Sequence, residues 1–364
     1  MKQSATKTFG ILTSGGDCPG LNAAIRGVAK AAYGIYDMNV MGVNNGYRGL
    51  IEGEVKPLQP EDVSGILTVG GTILGTSREK PFKSLKETDS TVGINKVEAI
   101  KETYSRFGLD CIVVLGGNGS QKTAGLLKKE GLNVIGLPKT IDNDIYGTDI
   151  TFGFHSAVNI ATDAIDRLHS TAHSHNRVMV IEVMGHDAGW LALYSGVAGG
   201  GDVIILPEIP YHIDSIKKHI INRAKGGKAF SIVVVAEGAI SYEESKLSRE
   251  ELKKKRKSEK SPSKGYEVAR EIEQSTGMDV RVSVLGYQQR GGGPSPYDRV
   301  IATQFGTAAA ELLAEGNYGN LVARVNNKIV PVPLEKVAGK LKLVQKDNRL
   351  ILDARMVGTC FGDE

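Results

Sequence analysis

Asp142 and Asp144 flank Asn143 in the stretch Gly136-Leu137-Pro138-Lys139-Thr140-Ile141-Asp142-Asn143-Asp144, directly after an apolar run. Two carboxylates this close in a loop can divide labour, one accepting a proton from an attacking hydroxyl and the other helping to hold a magnesium ion. An isolated Asp-Asn-Asp is also the mark of a surface turn whose Asx side chains cap the nearby backbone. Lys139 and Thr140 beside it favour anion handling.

Two glycine-rich turns have the composition of phosphate cradles. Thr13-Ser14-Gly15-Gly16-Asp17-Cys18-Pro19-Gly20-Leu21-Asn22 lies between an apolar run and a helix-like Ala23-Ala24-Ile25-Arg26, and Leu115-Gly116-Gly117-Asn118-Gly119-Ser120 repeats the arrangement. Glycine lets the backbone approach an anion, and a helix amino terminus offers unpaired N–H groups with a favourable dipole. Plain strand-to-helix turns share this composition. Neither stretch fits G-x-x-x-x-G-K-[ST] or G-x-G-x-x-G, which disfavours ordinary P-loop and dinucleotide folds.

Arginines stand near these polar and glycine-rich segments: Arg78 after Gly75-Thr76-Ser77, Arg177 after Ser174-His175-Asn176, Arg281, and Arg290 before Gly291-Gly292-Gly293. A guanidinium fork matches phosphate oxygens, although each arginine taken singly is an ordinary surface residue. His169 and His173 have helical i, i+4 spacing but lack the Cys or Glu partner of a zinc pattern. Trp190 reads as core.

The elements that must carry these turns are short Val/Ile-rich runs at 9–13, 111–115, 134–137, 178–181, 203–206 and 232–235, separated by segments of helical period. Such runs suit strands buried on both faces of a parallel sheet, whose carboxyl ends are where ligands bind. The class is therefore α/β, with mostly parallel sheets flanked by helices. At 364 residues the chain is long enough for two similar-sized domains. The expected division is 1–140, 141–315, and a C-terminal segment 316–364 packing back on the first domain. Residues 241–264 break the alternation with dense charge and read as a solvated helix and surface loop.

Composition excludes more than it names. A net charge of +4 is small for this length, and no aromatic residues interleave Lys253–Lys257 for base stacking, so no nucleic-acid partner is expected. Three scattered cysteines, Cys18, Cys111 and Cys360, supply neither a disulfide framework nor a four-ligand zinc site and suit a reducing cytoplasm. The first residues have no apolar core of a secretory signal, and no run of about 18 apolar residues occurs, so export and a membrane partner are not expected.

Taken together, GGDCPGLNAAIRG (15–27), GGNGS (116–120), PKTIDND (138–144), FGFHSAVNIATDAIDRLHSTAHSHNRVMVIEVMGHDAGW (152–190), AEG (236–238) and VLGYQQRGGGPSPYDR (284–299) resemble the phosphofructokinase family over roughly residues 7–315. The resemblance implies a two-domain α/β enzyme that transfers the terminal phosphoryl group of ATP, with Mg²⁺, to the 1-hydroxyl of fructose 6-phosphate in glycolysis. It implies that the first domain binds the donor and the second the sugar phosphate. Asp142 matches the catalytic base and Asp144 its acidic neighbour. Gly15, Arg78 and the turn Gly117, Asn118, Gly119, Ser120 match the donor site. Thr140, Asp142, Met184, Gly185, His186, Glu237, Tyr287 and Arg290 match sugar-phosphate positions. Arg177 and Arg281 match arginines that reach into the adjacent subunit's site, which implies a homotetramer or homodimer with shared active sites.

Three positions depart from common members of the family. Asn118 stands where many ATP-dependent members carry a magnesium-associated aspartate, which leaves metal ligation to Asn118 and Asp144 open; His186 replaces an arginine and Tyr287 a histidine. Donor choice turns on Gly119 and Lys139. ATP-using members carry glycine at both, pyrophosphate-using members aspartate and lysine. Gly119 keeps the route for a nucleotide's α-phosphate open, so ATP is the expected donor, with pyrophosphate or mixed use as the alternative and a non-catalytic binding homologue as the third reading.

Overall fold

The computed structural model describes residues 2–83, 95–258 and 261–363. Among these the strands are β1 (Thr8–Ser14), β2 (Asn39–Val43), β3 (Val55–Pro57), β4 (Cys111–Gly116), β5 (Val134–Thr140), β6 (Phe152–Gly153), β7 (Val178–Val183), β8 (Val203–Ile205), β9 (Ser231–Ala236), β10 (Val280–Val284), β11 (Asn320–Val325) and β12 (Lys328–Pro333). The six apolar runs singled out in the sequence are β1, β4, β5, β7, β8 and β9. Contacts divide the chain into two units, Met1–Ser156 with Arg290–Lys342, and Ala157–Gln289 with Leu343–Glu364.

The first unit holds one sheet in the order β12-β11-β5-β4-β1-β2-β3, with β6 paired to β5. Its pairs are parallel except β2–β3 and β11–β12, which form the two edges. Proline cannot donate to a ladder, so Pro57 on β3 and Pro331 and Pro333 on β12 belong on edge strands. The central strands β4 and β5 are buried at every residue, as a parallel strand covered on both faces requires. Leu12, Val43, Ile112, Val114, Leu127, Val134 and Leu334 pack in one of its cores.

The second unit holds the all-parallel sheet β10-β7-β9-β8. Successive side chains of β9 point to opposite faces: Ile232, Val234 and Ala236 join Ile181, Ile204 and Leu206, while Val233 and Val235 join Val180, Val203 and Val268. Two cores thus sandwich the sheet.

The unit boundaries differ from those expected. Residues 141–156 stay with the first unit because β6 pairs with β5 and because Ser156 donates from its N–H and its hydroxyl to Asp298 Oδ2, at 2.7 and 2.6 Å. The tail 316–364 is divided, because Val344, Ile351, Ala354 and Phe361 are buried in the second unit's core. The 241–264 segment forms helices at Tyr242–Ser245 and Arg249–Ser258, and residues 259–260 lie outside the described residues. It is not wholly solvated. Glu244 is buried and pairs with buried Lys264 at 2.7 Å, because a carboxylate withdrawn from water needs a partner. Arg256 donates to the carbonyls of Gly238 and Ala239. Among the described residues, no helix is long and apolar enough to cross a membrane.

Candidate active site

In the first unit the chemistry gathers at the carboxyl ends of β1, β4 and β5. β1 runs into Gly15-Gly16-Asp17. Gly15 has φ +88°, a left-handed conformation that glycine adopts without strain, and a Cβ there would lie 3.7 Å from both Lys139 Nζ and Ser120 Oγ. A side chain at Gly16 would have to displace the Arg290 guanidinium, which lies where its Cβ would be, with Arg290 Nη1 donating to Asp17 O at 3.0 Å. The neighbouring 72–78 segment is fastened to this turn: Gly15 N–H donates to Ser77 O at 2.9 Å, Thr76 Oγ1 to Gly15 O at 2.7 Å, and Asn22 Oδ1 accepts from Ile73 N–H at 2.9 Å. Arg78, exposed, follows directly.

β4 ends in Gly116-Gly117, and the helix Asn118–Lys129 begins there with no side-chain cap from Gly117, so its first amides and dipole face outward at the strand end. Ser120 Oγ donates to Ser14 Oγ at 3.0 Å, joining the two glycine turns, and Gln121 joins β4 to β5 through Gly116 O and Leu137 O at 3.0 and 2.9 Å. A Cβ at Gly119 would meet nothing within 4 Å. The Asn118 side-chain amide donates to Lys340 O at 2.9 Å, which leaves only its carbonyl oxygen as a metal donor.

β5 delivers Lys139 and the acidic loop. Lys139 is 3% exposed and its ammonium donates to Gly16 O. Burial pushes its pKa below the ordinary lysine value; Arg290 acts the same way, and Cys18, Asp142 and Asp17 oppose it. Burial also pushes the Cys18 thiol up to about 12, so it is protonated and not a nucleophile. In the loop, Asp142 N–H donates to Thr140 Oγ1 at 3.1 Å, Asn143 sits at φ 50° with its Oδ1 accepting from Thr151 N–H at 3.1 Å, and Thr151 Oγ1 donates to Thr140 O at 2.8 Å. Asp142 and Asp144 are half-buried. Lys342, which the sequence gave no reason to select, packs on this loop, and burial brings its pKa down to about 8 against the pull of Asp149 and Asp144.

In the second unit, Met184-Gly185-His186 and Glu237 lie at the carboxyl ends of the neighbouring strands β7 and β9. Glu237 Oε1 accepts from His186 N–H at 2.9 Å, Glu237 N–H donates to Val183 O at 2.9 Å, and Gln289 Oε1 accepts from Met184 N–H at 3.2 Å. His186 itself is exposed, at φ 50°, with Nδ1 3.2 Å from Asp187. Tyr287 is 75% exposed. Arg177 and Arg281 lie at the opposite end of this sheet. Arg177 precedes β7 and Arg281 pairs with Met179 in the register, about 20 Å of strand away from Met184. Both arginines grip Asp279, Arg177 at 2.5 Å. Arg290, expected with the sugar-phosphate residues, lies in the first unit, against its glycine turn. His169 is held by Gly199 O at 2.7 Å and, with His173, packs edge-on against Phe230.

No group of three or more His, Cys, Asp and Glu side chains among the described residues could cage a metal. Magnesium does not need one: it takes one or two protein carboxylates, keeps several waters and completes its shell with substrate phosphates. Asp144, on the loop that follows β5 beside two glycine turns, fits that demand.

Two α/β units, one carrying an anion cradle with adjoining carboxylates at its strand ends, define a phosphoryl-transfer class of protein. The phosphofructokinase family model matches residues 8–313. An ATP-dependent 6-phosphofructokinase of Spirochaeta thermophila is 68% identical over 364 residues, covering all of both chains. ATP-dependent 6-phosphofructokinase 3 of Bacteroides thetaiotaomicron is 53% identical, over 97% of this chain and 99% of that one. Among solved structures, Pichia pastoris phosphofructokinase in the T-state superposes with a TM-score of 0.79 at 34% identity, over 92% of this chain and 36% of its own. The chain belongs to the phosphofructokinase family.

Proposed function

We infer that this chain transfers the terminal phosphoryl group of ATP to the 1-hydroxyl of fructose 6-phosphate, giving fructose 1,6-bisphosphate and ADP. The observation that carries the reading is the end of β5: Lys139 reaches the Gly15-Gly16 turn, and three residues on Asp142 stands in a clamped loop, so one strand supplies a cation for a phosphate and a carboxylate for a hydroxyl. Phosphoryl transfer asks for alignment and charge neutralisation more than covalent chemistry.

The first unit holds the donor. The amides of Gly117, Asn118, Gly119 and Ser120 and the guanidinium of Arg78 bind its phosphates, the Gly15 backbone lines the same turn with its N–H committed to Ser77 O, and Arg290 and Lys139 hold the turn. Asp142 takes the hydroxyl proton. Magnesium, held by Asp144 with Asn118 Oδ1, would supply neutralisation of the phosphate oxygens. Thr140, Met184, Gly185, His186, Glu237, Tyr287 and Arg290 are the sugar-phosphate residues of this reading. Arg177 and Arg281 serve the site of a neighbouring subunit; their place at the far end of the sheet from Met184 supports this, and the active species is then a homodimer or homotetramer. Buried Cys18, Cys111 and Cys360, none of them in a disulfide, suit work in the cytoplasm.

ATP is the donor because the space at Gly119 is open for a nucleotide, and two full-length relatives bear ATP-dependent names. Lys139, buried against the cradle, supports pyrophosphate as a second donor. Initial rates with ATP and with pyrophosphate at equal magnesium test the reading, with the higher kcat/KM expected for ATP. A higher value for pyrophosphate overturns the role given to Gly119, and no turnover with either overturns catalysis.

A further inference from the structure

We propose that Lys342, contributed from the far end of the chain, is a positioning residue for the Asp142–Asp144 loop. Its ammonium donates to Asn143 Oδ1 at 3.0 Å, Thr148 O at 3.0 Å and Asp149 O at 2.9 Å. An ammonium has three N–H donors, and these are three acceptors spread over the loop. Its backbone N–H donates to Asp144 O at 2.8 Å, and Leu341 bridges Ile145.

The loop needs such an anchor. Asn143, between the two carboxylates, holds a left-handed φ of 50°, a conformation asparagine tolerates better than most residues but which only its partners here select over the alternatives. Asn143 Oδ1 accepts from both Thr151 N–H and Lys342 Nζ, so the side chain that fixes the turn is itself fixed by the lysine. The ammonium also gives the carbonyls of Thr148 and Asp149 a common donor, tying the two ends of the loop to one point. Lys342 thereby sets the aim of Asp142 and Asp144 without meeting the donor or the hydroxyl. A misplacement of about 1 Å costs such a site about 10²-fold in rate.

The inference rests on the phosphofructokinase reading, and the test separates the two. Turnover of ATP and fructose 6-phosphate is first measured on the unaltered protein; absence of turnover there refutes the reading itself and removes this role with it. In Lys342→Met, which keeps the stem and loses the donors, kcat is expected to fall by about 10- to 100-fold. KM for both substrates should stay within about threefold and the melting temperature should change little, a split that a purely structural role would not produce. Asn143→Ala, which removes the shared acceptor, should give the same kcat-selective loss, and the double variant should lose no more than the larger single loss. This pair keeps the test informative if Lys342→Met fails to fold: Asn143→Ala with full kcat then overturns the proposal. Unchanged kcat in folded Lys342→Met, or a loss confined to KM or stability, also overturns it.

Discussion

The two units hold their functional side chains in opposite ways. At the strand ends of the first, Lys139 is buried, Ser14 and Ser120 bind each other, Arg290 lies against Gly16, and the acidic loop is fastened through Asn143, Thr151 and Lys342. On the second, His186 and Tyr287 are exposed, and Arg177 and Arg281 are held at a partly exposed surface by Asp279. Buried groups with several partners have one conformation and cost no reorganisation when charge develops. Exposed ion pairs are weak and exchangeable, so the second set can be recruited by an arriving phosphate. On the proposed function, the difference teaches that charge stabilisation is built into the first unit, while the second is left adaptable for an arriving anion.

The sharpest break of that comparison is Asp142→Asn. The amide keeps the shape and accepts no proton, so kcat should fall by about 10²–10⁴ while isothermal titration still finds fructose 6-phosphate bound with nearly unchanged affinity. Near-full kcat would remove the base from the rigid half.

Arg177→Ala or Arg281→Ala should each raise KM for fructose 6-phosphate by about 10- to 100-fold, the worth of a charge-assisted hydrogen bond. Subunit exchange between Asp142→Asn protein and Arg177→Ala protein should regenerate activity, because each supplies what the other lacks. A monomer fully active at high dilution is the contrary outcome.

Gly119→Asp tests whether the rigid half chooses the donor. A Cβ there meets no protein atom within 4 Å, and on the proposed function its carboxylate faces a nucleotide's α-phosphate, so kcat/KM for ATP should drop at least about tenfold, roughly 1.4 kcal/mol, with the value for pyrophosphate spared and the melting temperature steady. An equal loss with both donors would mean the backbone was disturbed instead.

The smallest effect belongs to Asp279→Asn. Its two arginine pairs are partly exposed, so urea unfolding should report a change of no more than about 1 kcal/mol. A loss of several kcal/mol would make the cluster structural and erase the contrast between the halves.

How much of this was legible in the chain varies residue by residue. The Val/Ile runs declared β1, β4, β5, β7, β8 and β9, since a strand covered on both faces is apolar at every position, and Gly15-Gly16, Gly116-Gly117 and Asp142-Asn143-Asp144 declared the turns that follow them. Those are local properties, written within ten residues, and they determined the α/β class, the strand ends and the family resemblance. The dense charge of 241–264 suits a solvated segment, yet Glu244 within it is buried, because charge density says nothing about the buried lysine at position 264 that pairs with it.

Tertiary structure alone decided which distant residues meet. Arg290 lies 273 positions from Asp17 and Lys342 199 from Asn143, and no spacing rule connects such pairs. Arg177 and Met184 look like neighbours in the sequence, yet a strand of about 3.3 Å per residue sets them at opposite ends of the sheet. The tail divides at Lys342 because Phe361 and Ile351 find a core to fill in the second unit while Lys342 finds three oxygens in the first. Period and turn chemistry are fixed by bonds along the chain, whereas partners are chosen by what burial leaves unpaired, and that is known only once the chain has folded.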